Sequence, residues 1–148
     1  VIKLQALTRY LIERQLVLPE QLESWVEQMG TELIWKETEL GLHMGDMAYR
    51  AVFDLERFTG SPPRLLALVG TWLEAHDPDR EGLPAPEFVI EPLDLGNDLF
   101  NVELILQFVE PQYLAEDDDG EFDAFGKTWA LVPYDLWVAE EGEVTARG

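Results

Sequence analysis

The chain contains no cysteine. That excludes disulfides and thiolate metal sites, and it fits a reducing compartment without requiring one. No apolar run approaches the length of a bilayer-crossing helix. The first residues, Val1-Ile2-Lys3-Leu4-Gln5-Ala6-Leu7, lack a basic segment followed by an apolar one, so no secretory signal is expected. Positive charge is also scarce. Ten Lys and Arg face thirty Asp and Glu, for a net charge of −20. Residues 1–80 carry 8 basic and 13 acidic side chains, whereas residues 81–148 carry only Lys127 and Arg147 against 17 acids. A nucleic-acid binder needs a basic surface that displaces phosphate counterions, and none is supplied. Anionic membranes are disfavoured for the same reason.

Reactive motifs are missing too. There is no Gly-x-Ser-x-Gly, phosphate-binding loop or dinucleotide fingerprint. Of the two histidines, His43 is expected in a loop and His76 in the last turn of a helix, where partial positive charge is favourable. Neither is accompanied by a spaced nucleophile or carboxylate, so structural roles are expected for both. No cofactor is implied.

What is present suits one ordinary domain. The chain has 148 residues, 47% of them hydrophobic, and five Trp, enough for a single sizeable core. No internal repeat and no second domain are visible. The expected class is α+β, a single domain over residues 1–148 with a largely antiparallel sheet packed against helices.

Leu4, Leu7 and Leu11 follow helical spacing and predict a helix over about residues 2–16. After Leu18-Pro19, a second helix is expected from Pro19 or Glu20, with Leu22, Trp25, Val26 and Met29 on one face and Gly30 ending it in the left-handed conformation. Residues 32–38 read as a strand, and Gly41 and Gly45-Asp46 as a loop. Met47, Tyr49, Ala51, Phe53 and Leu55 then occupy every second position of a strand with one core face. Ser61 with Pro62 and Pro63 is a helix start, and Leu65, Leu66, Val69, Trp72 and Leu73 form an apolar stripe that Pro78 ends. Gly70 suggests a close approach to a strand. Residues 79–87 form a charged connection. Pro92 removes a ladder donor, so its strand belongs at an edge or carries a bulge. Gly96-Asn97-Asp98 turns the chain into a long strand with Phe100, Val102, Leu104, Leu106 and Phe108 on one face. Periodicity is lost between Glu110 and Pro133 and returns in a terminal hairpin, residues 135–139 with 143–146.

The run Ala115-Glu116-Asp117-Asp118-Asp119-Gly120-Glu121-Phe122-Asp123 invites a test for a calcium loop. With Gly120 in the sixth position, Asp117 stands third and Asp119 fifth. The first position is then Ala115 and the twelfth Gly126, so two principal ligands are missing. The run reads as a solvated loop. Trp25 and Trp72 read as core on helix faces, and Trp35 lies in a strand of uncertain facing. Trp129 and Trp137 lie in or beside the acidic half, where core and protein interface are both open readings.

Several stretches together carry a likeness. They are Phe58-Thr59-Gly60 leading into the Trp72-Leu73-Glu74 helix, His76-Asp77-Pro78, Gly96-Asn97-Asp98 before an alternating strand, and the close Leu136-Trp137-Val138-Ala139-Glu140-Glu141-Gly142-Glu143-Val144. In this the chain resembles the tail completion protein R family of P2-like contractile-tailed phages, departing from it at the 116–123 acid run. The resemblance implies a non-enzymatic virion protein at the tail–neck junction, assembled in the host cytoplasm. Such a protein caps the tail tube, stops polymerisation and offers a joining surface to sheath and head connector. It also implies a tail-terminator-like fold and a hexameric ring. The partners would be copies of itself, the tail tube protein, the sheath protein and a head-connector protein. The candidate partner interface is Asp117, Asp118, Asp119, Trp137, Glu140 and Glu141. Three rivals remain at this point: an acidic DNA-mimic inhibitor, a hydrolase or calcium binder using Asp117 and Asp119, and another neck or tail adaptor of similar fold.

Overall fold

A computed structural model of the chain describes residues 2–94 and 98–132. The elements are α1 (Ile2–Glu13), a 3-10 turn (Pro19–Gln21), β1 (Leu22–Thr38), β2 (Gly41–Phe58), α2 (Pro62–His76), β3 (Glu87–Asp94), β4 (Leu99–Glu116), β5 (Phe122–Ala124) and β6 (Lys127–Leu131). The mixed α+β class is as expected. The strands follow the order β1-β2-β4-β6-β5, with β3 joined to β4 off that path. Strand β4 runs antiparallel to both β3 and β6. The residues form two compact units, each described by itself.

The first unit takes in Lys3–Gln28 and Arg50–Phe108. Leu4, Leu7 and Leu11 bury one face of α1. Ala51, Phe53, Leu55 and Phe58 of β2 and Val102, Leu104, Leu106 and Phe108 of β4 supply the sheet side of the core. All but Phe58 are the alternating positions that a pleated strand sends to one face, and Phe58 follows the left-handed Arg57 (φ 53°) that breaks the alternation. Helix α2 starts where capping chemistry predicts: the Ser61 hydroxyl accepts from the Arg64 amide at 3.4 Å, and Pro62 needs no donor. Its Leu65, Val69, Trp72 and Leu73 are buried, and Trp72 meets Phe108 edge-on at 6.3 Å. Leu66, expected in that stripe, is 45% exposed. Gly70 has nothing within 4 Å of where a Cβ would stand, so no strand approaches it. Lys3 and Arg80 both bind the buried Asp77, at 2.8 and 2.6 Å. Strand β3 pairs only with β4 among the described residues, and its register shifts between Pro92 and Asp94. Edge position and bulge both follow from the missing proline donor.

The second unit takes in Ile2, Met29–Tyr49 and the chain from Val109. A small core gathers Leu42, Leu114 and Trp129, with Met44, Phe122 and Ala124 against it. Trp129 is 2% exposed, and its indole N–H donates to the Ala124 carbonyl at 2.8 Å, so core is its role. Glu110 is buried and accepts from the Ile2 amide at 3.0 Å and from the Tyr49 hydroxyl.

Three expectations are corrected. The second helix is absent: Pro19–Gln21 makes one 3-10 turn, and Leu22 opens a 17-residue strand that contains Gly30. Leu22, Trp25, Val26 and Met29 fit a helical stripe, but Trp and Val suit a pleat equally, and pairing with β2 decides the outcome. Trp25 is therefore on the outer side, 37% exposed. The loop at Gly41 and Gly45-Asp46 is also absent, because β2 begins at Gly41. A Cβ on Gly45 would stand 2.2 Å from the Glu32 carbonyl oxygen, so this glycine admits a close approach of β1 rather than ending a strand. Finally, order continues past Glu110. Strand β4 reaches Glu116, and β5 and β6 follow. The expected turn at Gly96-Asn97 and the terminal hairpin lie outside the described residues.

Candidate functional site

Strand β4 ends in a tight acidic turn. The Asp119 amide donates to Asp117 Oδ1 at 2.9 Å, and the Gly120 amide to the Asp117 carbonyl at 2.9 Å. The Thr128 hydroxyl donates to the same carbonyl at 2.7 Å. Gly120 is needed there, since a Cβ would stand 2.1 Å from the Trp129 carbonyl oxygen. The acid run is thus a folded turn seated on β6, with its carboxylates facing water. Of the candidate interface residues, Asp117, Asp118 and Asp119 come together in this turn. Trp137, Glu140 and Glu141 lie outside the described residues.

An open groove of about 660 Å³ borders the turn, lined among others by Glu116, Asp118, Asp123, Phe125 and Lys127. Phe125 is 52% exposed and has φ 54°, a left-handed backbone that turns the chain into β6. Lys127 lies 2.7 Å from Glu37 and 3.7 Å from Glu116. Its amine is held above the ordinary lysine value, first by the hydrogen bond it donates to Glu37 and then by the charges of Glu37 and Glu116. Asp118 and Asp123 have no basic partner among the described residues. The groove therefore presents net negative charge beside one aromatic ring.

Among the described residues no reactive constellation accompanies it. Among the described residues no three metal-ligating side chains converge. Asp117 already spends an oxygen on the Asp119 amide. His43 lies in β2 rather than in a loop; it contacts Asp46 at 2.8 Å and stacks on Tyr113 at 4.9 Å. His76 stacks on Trp72 at 4.9 Å. No helix among the described residues is long and apolar enough to cross a membrane.

The larger surface is one the residue pattern did not single out. Every residue from 27 to 40 is exposed, although residues 22–38 form a strand. Met29, Leu33, Ile34, Trp35 and Leu40 are among them. The consecutive Leu33-Ile34-Trp35 was the available signal. Neighbours on a strand point to opposite faces, so three in a row make both faces apolar.

The family model described as P2 phage tail completion protein R (GpR) matches residues 1–133. A protein of Haemophilus phage HP1 (strain HP1c1), described as an uncharacterized 19.2 kDa protein in the rep-hol intergenic region, is 26% identical over 155 residues, covering 97% of this chain and 89% of that one. No solved structure matches.

Proposed function

The chain belongs to the P2 phage tail completion protein R family, and on that premise we propose that it is a non-enzymatic virion protein that finishes the tail. In this reading it caps the tail tube, halts further polymerisation and joins the tube to sheath and head connector. It acts as a hexameric ring at the tail–neck junction, a single-domain unit with a tail-terminator-like fold. The observation that carries the reading is the family match across residues 1–133.

Two physical features support it. A tube that ends in a defined plane is best met by a closed ring, which requires a head-to-tail interface and therefore two different sticky surfaces on each subunit. The described residues offer open sheet edges at β1 and at β3, both with exposed apolar side chains. The acidic groove at residues 116–128 is suited to a basic protein partner, because complementary charge steers encounter and sets orientation.

The test is localisation. Electron microscopy of intact particles should show the chain as one layer at the head-proximal end of the tube. Phage lacking it should make tails of uncontrolled length that fail to join heads. Absence of the chain from assembled particles would overturn the reading, as would turnover of a small substrate by the purified protein.

A further inference from the structure

We infer that the outer half of β1, residues 29–38, is an assembly strand that adds to the β3 edge of a second copy of this chain. The inference deepens the reading above and rests on it only in that copies of the chain associate.

The first ground is exposure on both faces. Leu33 is 78% exposed, Met29 50%, Ile34 44% and Trp35 38%, and Leu40 at the following turn is 78% exposed. Leu33 and Ile34 lie on opposite faces of the strand. A surface strand in an antiparallel sheet normally has one wet, polar face. A strand that is apolar on both sides and covered on neither is built to be enclosed.

The second ground is the backbone. β1 ends the sheet order, with β2 as its only neighbour among the described strands. Its outer row of N–H and C=O groups is a template for another strand. Left-handed φ values at Gln28 (53°) and Trp35 (56°) bracket residues 29–34, leaving a six-residue stretch of pairable length between two irregular points. The area is sufficient: the fourteen consecutive exposed residues 27–40 leave on the order of 800 Å² open, the share each partner contributes to a standard interface.

The third ground is the matching edge on the same chain. β3 pairs with β4 alone among the described strands and exposes Val89 (48%), Ile90 (37%) and Leu93 (41%). Val89 and Ile90 again point to opposite faces. Charge does not select the pairing, since residues 29–38 carry Glu32 and Glu37 beside Lys36 and β3 carries Glu87 and Glu91; the exposed apolar area and the open edges carry it. Two unlike edges that suit each other give head-to-tail association, the arrangement that propagates around a ring.

The absence of cysteine makes the test clean. The full-length chain carrying Ile34→Cys and Ile90→Cys together should form, on mild oxidation, a ladder of covalent species longer than a dimer, and neither single variant should do so. In parallel, Leu33→Glu with Ile34→Lys should keep the circular dichroism spectrum and Tm of the parent. By sedimentation velocity it should run as a monomer at concentrations where the parent associates. A parent that stays monomeric from micromolar to near-millimolar concentration would overturn the inference. So would an association that survives the charged double variant, or disulfides that form with Ile34→Cys alone, which would mean β1 pairs with itself. Any of these results leaves localisation at the tail end intact, so the two readings fail separately.

Discussion

Lys127 Nζ lies 2.7 Å from Glu37 Oε2, joining β6 to the end of β1 across ninety positions of sequence. Both side chains are more than a third exposed, so solvent screening keeps the effect on stability small. The electrostatic signature is still readable. A base whose folded value is raised contributes fully below its unfolded value of 10.5 and loses that contribution as the pH climbs through the raised one. NMR titration of the Lys127 side chain should give a midpoint above 10.5, and Glu37→Gln should lower it. A midpoint unaffected by Glu37→Gln would refute the pairing.

Gly120 and Gly70 should respond in opposite directions to the same substitution. Gly120→Ala drives a methyl to 2.1 Å from the Trp129 carbonyl oxygen. The turn must then shift, at a cost of about 1–3 kcal/mol. Gly70→Ala adds a methyl into open space within α2 and should stabilise by up to about 1 kcal/mol through helix propensity. Midpoints of urea unfolding decide both.

Tyr49→Phe should destabilise by about 1–3 kcal/mol, because the buried Glu110 carboxyl loses the donor hydroxyl that now satisfies it. A midpoint within error of the parent would mean that Glu110 is satisfied without Tyr49.

Tryptophan substitutions should separate core from surface. Trp129→Ala empties the centre of the second unit's core and should cost about 3–5 kcal/mol. Trp35→Ala should leave unfolding midpoints near the parent while weakening association between copies.

Docking to tail components should weaken when Asp118 and Asp123 are changed to Asn, and the remaining affinity should depend less on salt. Docking that is equally tight in high salt would remove charge from the account.

The parts of the fold legible from sequence are those whose cause is local. Ser61 and Pro62 start α2 by chemistry contained within four residues. The alternation through Tyr49, Ala51, Phe53 and Leu55 marks a strand and its core face, although Val52 on the other face is buried as well. Pro92 announces an edge because a missing N–H is missing in any context. Residues 22–30 were not legible, since helix and strand each bury a plausible subset and the partner that decides lies in β2. The continuation of β4 was hidden by Pro111. That proline falls between the residues that face β3 and those that face β6, where neither pairing needs its donor. The acidic turn was visible as a charge run, but its seat on Trp129 was not. The exposed apolar strand is hard to read because Met29 fits a helical stripe while Leu33, Ile34 and Trp35 fall in the strand expected over residues 32–38, and nothing local says that neither face is covered.

The salt bridge from Lys3 to Asp77 carries a lesson about synthesis. Helix α1 leaves the ribosome long before the aspartate that holds it has been translated, and at ordinary elongation rates the wait is roughly four to fifteen seconds. A twelve-residue helix is too short to persist alone for that time. Until residue 77 has been made, Lys3 therefore lacks the aspartate it pairs with in the folded chain. The contact that fastens α1 at Lys3 is thus one made across 74 positions, late in synthesis.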